Sequence, residues 1–165
     1  MGLSVRLQAQ LDRSAYVRAF WLLLFGVLAI LFNAYRGRLD VARGEIQRAE
    51  SIARLPDHGE LLDQVLLNEA DIELAGGNLA RAATLLGESR VLLQKAHPES
   101  PSDAWRYAVW DSVNAQLLAA NGDSAAAARI LAAAQTTIAR RFGETGFYSL
   151  LAKRRALLIA NARKV

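Results

Sequence analysis

The chain has 165 residues, of which 53% are hydrophobic and 22% are charged, and its formal net charge is +4. These proportions exclude a wholly disordered chain and allow a domain with a hydrophobic core. With no cysteine and only His58 and His97 as histidines, disulfides, thiolate chemistry and a zinc site of the usual His/Cys kind are excluded. Alanine and leucine dominate the apolar runs and β-branched residues are sparse, which predicts an all-α fold.

The first predicted element is an apolar helix over residues 19–35, preceded by an N-terminal amphipathic segment, residues 1–18. No charged residue stands between Arg18 and Arg36, and large apolar side chains occur on every side of a helix there. If this helix is the first of several packed helices, only one neighbouring helix can cover it. A further surface then has to cover its remaining apolar side chains. Three candidates stay open: a bilayer, a dimer or partner interface, and residues 1–16 of the same chain.

A bilayer is the first of these candidates because Tyr16, Trp21 and Tyr35 lie near the ends of the apolar segment, where interfacial aromatic residues are enriched. More arginines follow the segment than precede it, which places the rest of the chain in the cytoplasm if the segment spans. We therefore expect a membrane-anchored protein with a cytoplasmic domain over residues 36–165. The alternative is a soluble cytoplasmic protein.

A short glycine motif then occurs three times, and each copy follows an apolar helical run. The glycines are Gly37, Gly77 and Gly122, and the residues after them include the helix-capping types Asn and Asp. Two small residues follow each glycine at constant distances, which lets two helices approach closely. These small residues are Ala42 and Ala49, Ala82 and Ser89, and Ala127 and Ala134. The pattern predicts a repeated pair of helices joined by a tight turn.

This pattern resembles the tetratricopeptide repeat, and His97-Pro98 in a connecting loop resembles its kinesin-light-chain-type variant. Leu66 and Asp111 depart from that pattern, because they stand where the repeat carries a bulky aromatic residue. The resemblance implies an α-solenoid of about three antiparallel helical hairpins with a C-terminal capping helix. It also implies a non-catalytic scaffold or adaptor that holds a partner peptide or helix in a concave groove.

The groove residues implied by the repeat geometry are Gln64, Asn68 and Asp71 from the second repeat, and Ser112 and Gln116 from the third. They are uncharged or acidic, so we expect a protein or peptide partner that is basic or neutral in charge. A homodimer stays open as well.

Paired carboxylates are the strongest candidate for chemistry. Glu69 and Glu73 would share one face of a helix and could bind a cation or transfer a proton. A solvated or groove-lining acidic face is preferred, because no nucleophile, lysine or histidine is predicted nearby. The chain also lacks the nucleotide-binding, serine-hydrolase and zinc-protease motifs. We expect no enzyme activity, no cofactor and no bound metal.

Basic residues are concentrated at the C-terminal end, and no Asp or Glu follows Glu144. They are Arg140, Arg141, Lys153, Arg154, Arg155, Arg163 and Lys164. The preferred interpretation is the solvated face of a capping helix over residues 147–163, with Leu150, Leu151, Leu157, Leu158 and Ile159 turned toward the preceding hairpin. The alternative function is binding to nucleic acid or to an acidic membrane surface, with nucleic acid the less favoured partner.

Overall fold

The computed structural model describes residues 37–55 and 61–162. The predicted segments 1–18 and 19–35, and His58, lie outside the described residues. The described part of the chain forms helices and no strand, which confirms the all-α prediction for these residues. In chain order the helices are α1 (Leu39–Ala53), α2 (Leu62–Ala75), α3 (Leu79–Ala96), α4 (Ala104–Ala120), α5 (Ser124–Phe142) and α6 (Phe147–Ala162). None of these six is both long and apolar enough to cross a bilayer.

The glycine motifs form the turns between α2 and α3 and between α4 and α5. Gly77 and Gly122 take φ values of +77° and +93°, which a residue with a Cβ rarely adopts. The amide of the following residue closes each turn, since Asn78 N donates to Glu73 O and Asp123 N donates to Leu118 O, both at 2.9 Å. Their side chains then cap the next helix by accepting from the amides of Arg81 and Ala126. The predicted turns and caps are confirmed for the second and third motifs, whereas Arg38, the residue before α1, makes no side-chain cap.

Helices that follow each other in the chain pack together, and the contacts are most extensive between α2 and α3 and between α4 and α5. Contacts also join α2 to α4 and α4 to α6, skipping the helix between them. The small residues after the glycines lie at these contacts. Ala42, Ala82 and Ala127 are fully buried, and Ser89 and Ala134 are only 1% and 3% exposed. Their burial agrees with the predicted close approach of the helices.

Helix α2 is the most deeply enclosed element of the described residues. All residues from 65 to 73 are buried, among them the four polar residues Asn68, Glu69, Asp71 and Glu73. The apolar core is built around its other side chains, with Leu66 and Ile72 fully covered. Because a buried charge is costly unless it is paired, the polar side chains of α2 must have partners on neighbouring helices.

The terminal helix α6 is turned differently from the prediction. Leu150, Leu157 and Leu158 were expected to face the preceding hairpin, but they are 54%, 66% and 47% exposed. Leu151 and Ile159 are buried as predicted, and the same buried face carries Ala152 and Arg155. The cause lies at both ends of this face: Tyr148 packs 5.2 Å from the Phe142 ring, and Arg155 reaches an acidic side chain on α2.

Candidate functional site

Four polar side chains from three helices meet in one buried network, which we call the floor network: Asp71, Ser112, Gln116 and Arg155. Arg155 donates from Nη2 to Asp71 Oδ2 at 2.7 Å and from Nη1 to Ser112 Oγ at 2.8 Å. Gln116 Nε2 donates to the other oxygen, Asp71 Oδ1, at 2.8 Å. The Ser112 hydroxyl donates to Val109 O at 2.7 Å. The network thereby links α2, α4 and α6.

Three of the five predicted groove residues therefore lie together: Gln116 bonds to Asp71 directly, and Arg155 links Ser112 to Asp71. Asp71 and Ser112 are 3% and 0% exposed. The other two lie nearer the start of α2, where Gln64 Nε2 donates to Asn68 Oδ1 at 3.4 Å. Arg155 was expected on a basic surface and is instead 3% exposed, because its guanidinium balances the buried carboxylate of Asp71.

Beside the floor network is an open hollow of about 490 Å³, formed where α2 and α4 end and α6 runs past them. The polar residues in its lining are Asp71, Gln116 and Arg154. Small and apolar side chains form the rest, together with Gly37 and Leu39 at the start of α1. They are Leu74, Ala75, Ala119, Ala120, Leu158 and Ile159. A space of this size and composition can take up one or two apolar side chains of a partner.

The hollow was not predicted from the sequence, although one signal for it was present. Ala75 directly precedes the glycine turn after α2, and Ala119 and Ala120 precede the turn after α4. Small residues at the same place before two glycine turns leave room between the ends of these helices. The contributions of Leu39 and Leu158 depend on how α1 and α6 pack, which no local pattern reveals.

The paired carboxylates of α2 are buried and bonded to arginines on both neighbouring helices. Glu73 accepts from Arg43 Nε at 2.8 Å and from its Nη2 at 3.2 Å, and Glu69 accepts from Arg81 Nη2 at 3.0 Å. Burial raises the pKa of Glu69, against the opposing effect of Arg81, and the Glu50 carboxylate raises it further. The hydrogen bond to Glu73 raises the pKa of Arg43. A solvated acidic face is thus wrong, and these pairs hold α1 and α3 to α2.

A second hollow, also of about 490 Å³, lies between α3, α4 and α5. Its lining includes Asp111, one of the two residues that depart from the tetratricopeptide pattern. The Arg90 guanidinium lies 4.4 Å from the Tyr107 ring centre and 5.0 Å from that of Trp110. Burial raises the pKa of the Asp111 carboxyl. His97 is the C-terminal cap residue of α3, and its backbone oxygen accepts a hydrogen bond from the Tyr107 hydroxyl.

The predicted basic surface is reduced in the described residues. Arg140, Arg141, Lys153 and Arg154 are exposed. Lys153 Nζ lies 2.6 Å from Glu144 Oε2, which offsets its charge locally. Arg163 and Lys164 lie outside the described residues.

Two further findings bear on function. Within residues 37–55 and 61–162, no group of three His, Asp or Glu side chains is arranged to hold a metal ion. Comparisons with protein-family models, with curated proteins and with solved structures give no match.

Proposed function

We propose that this chain is a non-catalytic interaction module of tetratricopeptide-like hairpins, which binds a partner peptide or helix through the hollow between α2, α4 and α6. The observation that carries the proposal is the hollow itself. It is open to solvent, its lining is largely apolar, and three of its lining residues are polar or charged. These are the properties of a surface that takes an apolar side chain and orients the peptide around it.

The packing order of the helices supports a repeat array. Each hairpin would consist of the helices on either side of a glycine turn, so that α2 and α4 are the first helices of successive repeats and α6 caps the last. The contacts of α2 with α4 and of α4 with α6 agree with this arrangement. The hollow then lies on the side where first helices face each other, which is where such repeats bind their partners.

The charge of the floor network limits which partner fits. Asp71 is paired with Arg155, so the network offers no net charge to a peptide. A basic peptide therefore gains little there, and a neutral apolar segment is the partner that the hollow favours.

The experiment is a selection of peptides from a displayed random library on the full chain, followed by measurement of their Kd. Ala120→Trp fills the hollow from the exposed end of α4 and should weaken the selected peptides by at least about tenfold. Ala83→Trp, on the exposed side of α3, is the matched control and should leave the Kd unchanged. Equal affinity of both variants would contradict the proposal.

The alternative function, binding to nucleic acid or an acidic membrane surface, loses support. Arg155 points inward and Lys153 is paired with Glu144, so the exposed basic side chains do not form one uninterrupted surface. Membrane attachment or dimer formation through residues 19–35 stays a separate prediction, since that segment lies outside the described residues.

A further inference from the structure

The second hollow, between α3, α4 and α5, lies where two large apolar residues of the preceding helix pair are replaced by smaller polar ones. The second and third glycine turns lie 45 positions apart, which pairs Asp111 with Leu66 and Thr137 with Leu92. Leu66 is fully buried, and Leu92 packs against the apolar core. Asp111 and Thr137 are instead half-buried and line the second hollow. The replacement therefore leaves both a space and a carboxylate facing it.

The carboxylate of Asp111 makes no hydrogen bond or ion pair with any residue that the structure describes. The buried carboxylates of α2 differ in this respect, because Glu69, Asp71 and Glu73 each bond to an arginine. Partial burial removes water from the Asp111 carboxylate without supplying another partner in exchange. A cation that enters the second hollow can supply that partner.

The other charges in the lining offset each other. Arg90 Nη2 donates to Glu99 Oε1 at 3.1 Å, and its guanidinium also lies over the Tyr107 ring. Asp111 therefore leaves the second hollow with one net negative charge, which suits a ligand with a single positive charge. An anion would meet two carboxylates and one arginine that is already bonded.

The remaining lining suits an organic cation better than a metal ion. No group of three metal-binding side chains occurs within residues 37–55 and 61–162. Thr137 donates its hydroxyl proton to Ala133 O at 3.3 Å, so lone pairs of its oxygen can accept from a ligand. Small apolar side chains form the walls, and they are Ala104, Ala108, Ala133 and Ala134. Such walls can cover a short alkyl chain.

We infer that the second hollow binds a primary alkylammonium group, whose charge pairs with Asp111 and whose alkyl chain lies against the alanines. A free amine and the lysine side chain of a peptide both carry this group. None of the residues that line the hollow between α2, α4 and α6 lines this one. The inference is therefore independent of the proposed function.

The first probe is n-butylammonium chloride, titrated into the full chain with alanine methyl groups labelled for NMR. The methyl signals of Ala104 and Ala133 should shift and saturate in the millimolar range. The signal of Ala82, which is fully buried away from this lining, should not move. Sodium butyrate at the same ionic strength is the control, because it has the same length and the opposite charge.

Asp111→Asn should weaken n-butylammonium by at least about tenfold, because the substitution removes the charge and keeps the shape. Asp40→Asn is the matched control, since Asp40 is fully exposed on α1 and the change in net charge is the same. Asp111→Leu with Thr137→Leu gives α4 and α5 the residues of the preceding helix pair and should abolish binding in a folded protein. Ala120→Trp should leave the affinity for n-butylammonium unchanged, which keeps the two proposals distinguishable.

A second probe identifies the source of the ammonium group. It is the acetylated and amidated tripeptide Gly-Lys-Gly, compared with the same tripeptide carrying uncharged norleucine in place of lysine. Binding of the lysine peptide at least about tenfold tighter than n-butylammonium supports a lysine side chain as the ligand. Weaker binding of the peptide than of n-butylammonium supports a free amine.

Four results would overturn the inference. The first is the absence of saturable shifts with n-butylammonium, and the second is equal shifts with butyrate. The third is equal affinity of Asp111→Asn and Asp40→Asn, which would show that the Asp111 carboxylate does not hold the ligand. The fourth is loss of n-butylammonium binding in Ala120→Trp, which would place the amine in the hollow between α2, α4 and α6.

Discussion

The guanidinium of Arg155 lies 2.7 Å from the carboxylate of Asp71, and both side chains are 3% exposed. The two residues are separated by 84 positions in the chain, so their bond fixes the last described helix to the most enclosed one. The same bond removes a positive charge from the surface and a negative charge from the proposed groove. It explains both the orientation of α6 about its own axis and the absence of net charge in the floor network beside the hollow.

Arg155→Met should destabilise the protein by about 3–5 kcal/mol, because it leaves the Asp71 carboxylate buried without its counter-ion. Combining it with Asp71→Leu should recover much of this loss, since the uncompensated charge is then gone. Urea denaturation followed by circular dichroism gives both free energies of unfolding. A single variant as stable as the wild type would show that the pair is not buried.

Ala82→Leu or Ala127→Leu should cost about 1–3 kcal/mol, because both alanines are fully buried where neighbouring helices touch. Ala125→Leu adds the same atoms at an exposed position of α5 and should change stability little. Thermal denaturation of the three variants makes the comparison. Equal tolerance at all three positions would mean that the helix contacts are assigned wrongly.

Gly77→Ala should destabilise by about 1–2 kcal/mol, because φ is +77° there and a Cβ is strained in that region. Gly87→Ala is the matched control: it lies within α3, is exposed, and a Cβ there meets nothing within 4 Å. That substitution should stabilise by about 0.5–1 kcal/mol. Opposite signs in urea denaturation confirm the turn, and equal signs contradict it.

Asp111→Asn should raise the melting temperature at pH 7. Burial raises the pKa of Asp111 in the folded protein, so its stabilising contribution is present below its unfolded pKa and lost as the pH rises through the folded value. Asparagine avoids that loss, and the gain should vanish at about pH 3, where aspartate is protonated in both states. Calorimetry at the two pH values tests this. A gain of equal size at both would exclude titration of Asp111 as its cause.

The turns and the tight helix contacts could be predicted because each depends on residues close together in the sequence. Glycine at Gly77 and Gly122, with Asn78 and Asp123 after them, specifies a turn and a cap within a few residues. The small residues at Ala82 and Ala127 follow at a fixed distance, so the face of the second helix was predicted as well.

The partners of the buried polar residues could not be predicted from the sequence, because they lie on helices that are distant along the chain. Nothing near Glu73 indicates Arg43, and nothing near Asp71 indicates Arg155. If Asn68 and Gln116 lined an open groove, Asn68→Ala with Gln116→Ala would weaken peptide binding and leave stability unchanged. Because Asn68 is buried and Gln116 donates a hydrogen bond to the buried Asp71, the pair of substitutions should instead lower stability.

The most direct test of the proposed function is methyl-labelled NMR of the full chain with a peptide selected from the displayed library. We predict that the methyl signals of Leu39, Leu74 and Leu158 shift on titration and give intermolecular NOEs to an apolar side chain of the peptide. Signals of Val91, which is distant from the lining, should not move. Shifts that spare the three leucines and map elsewhere would contradict binding in the hollow.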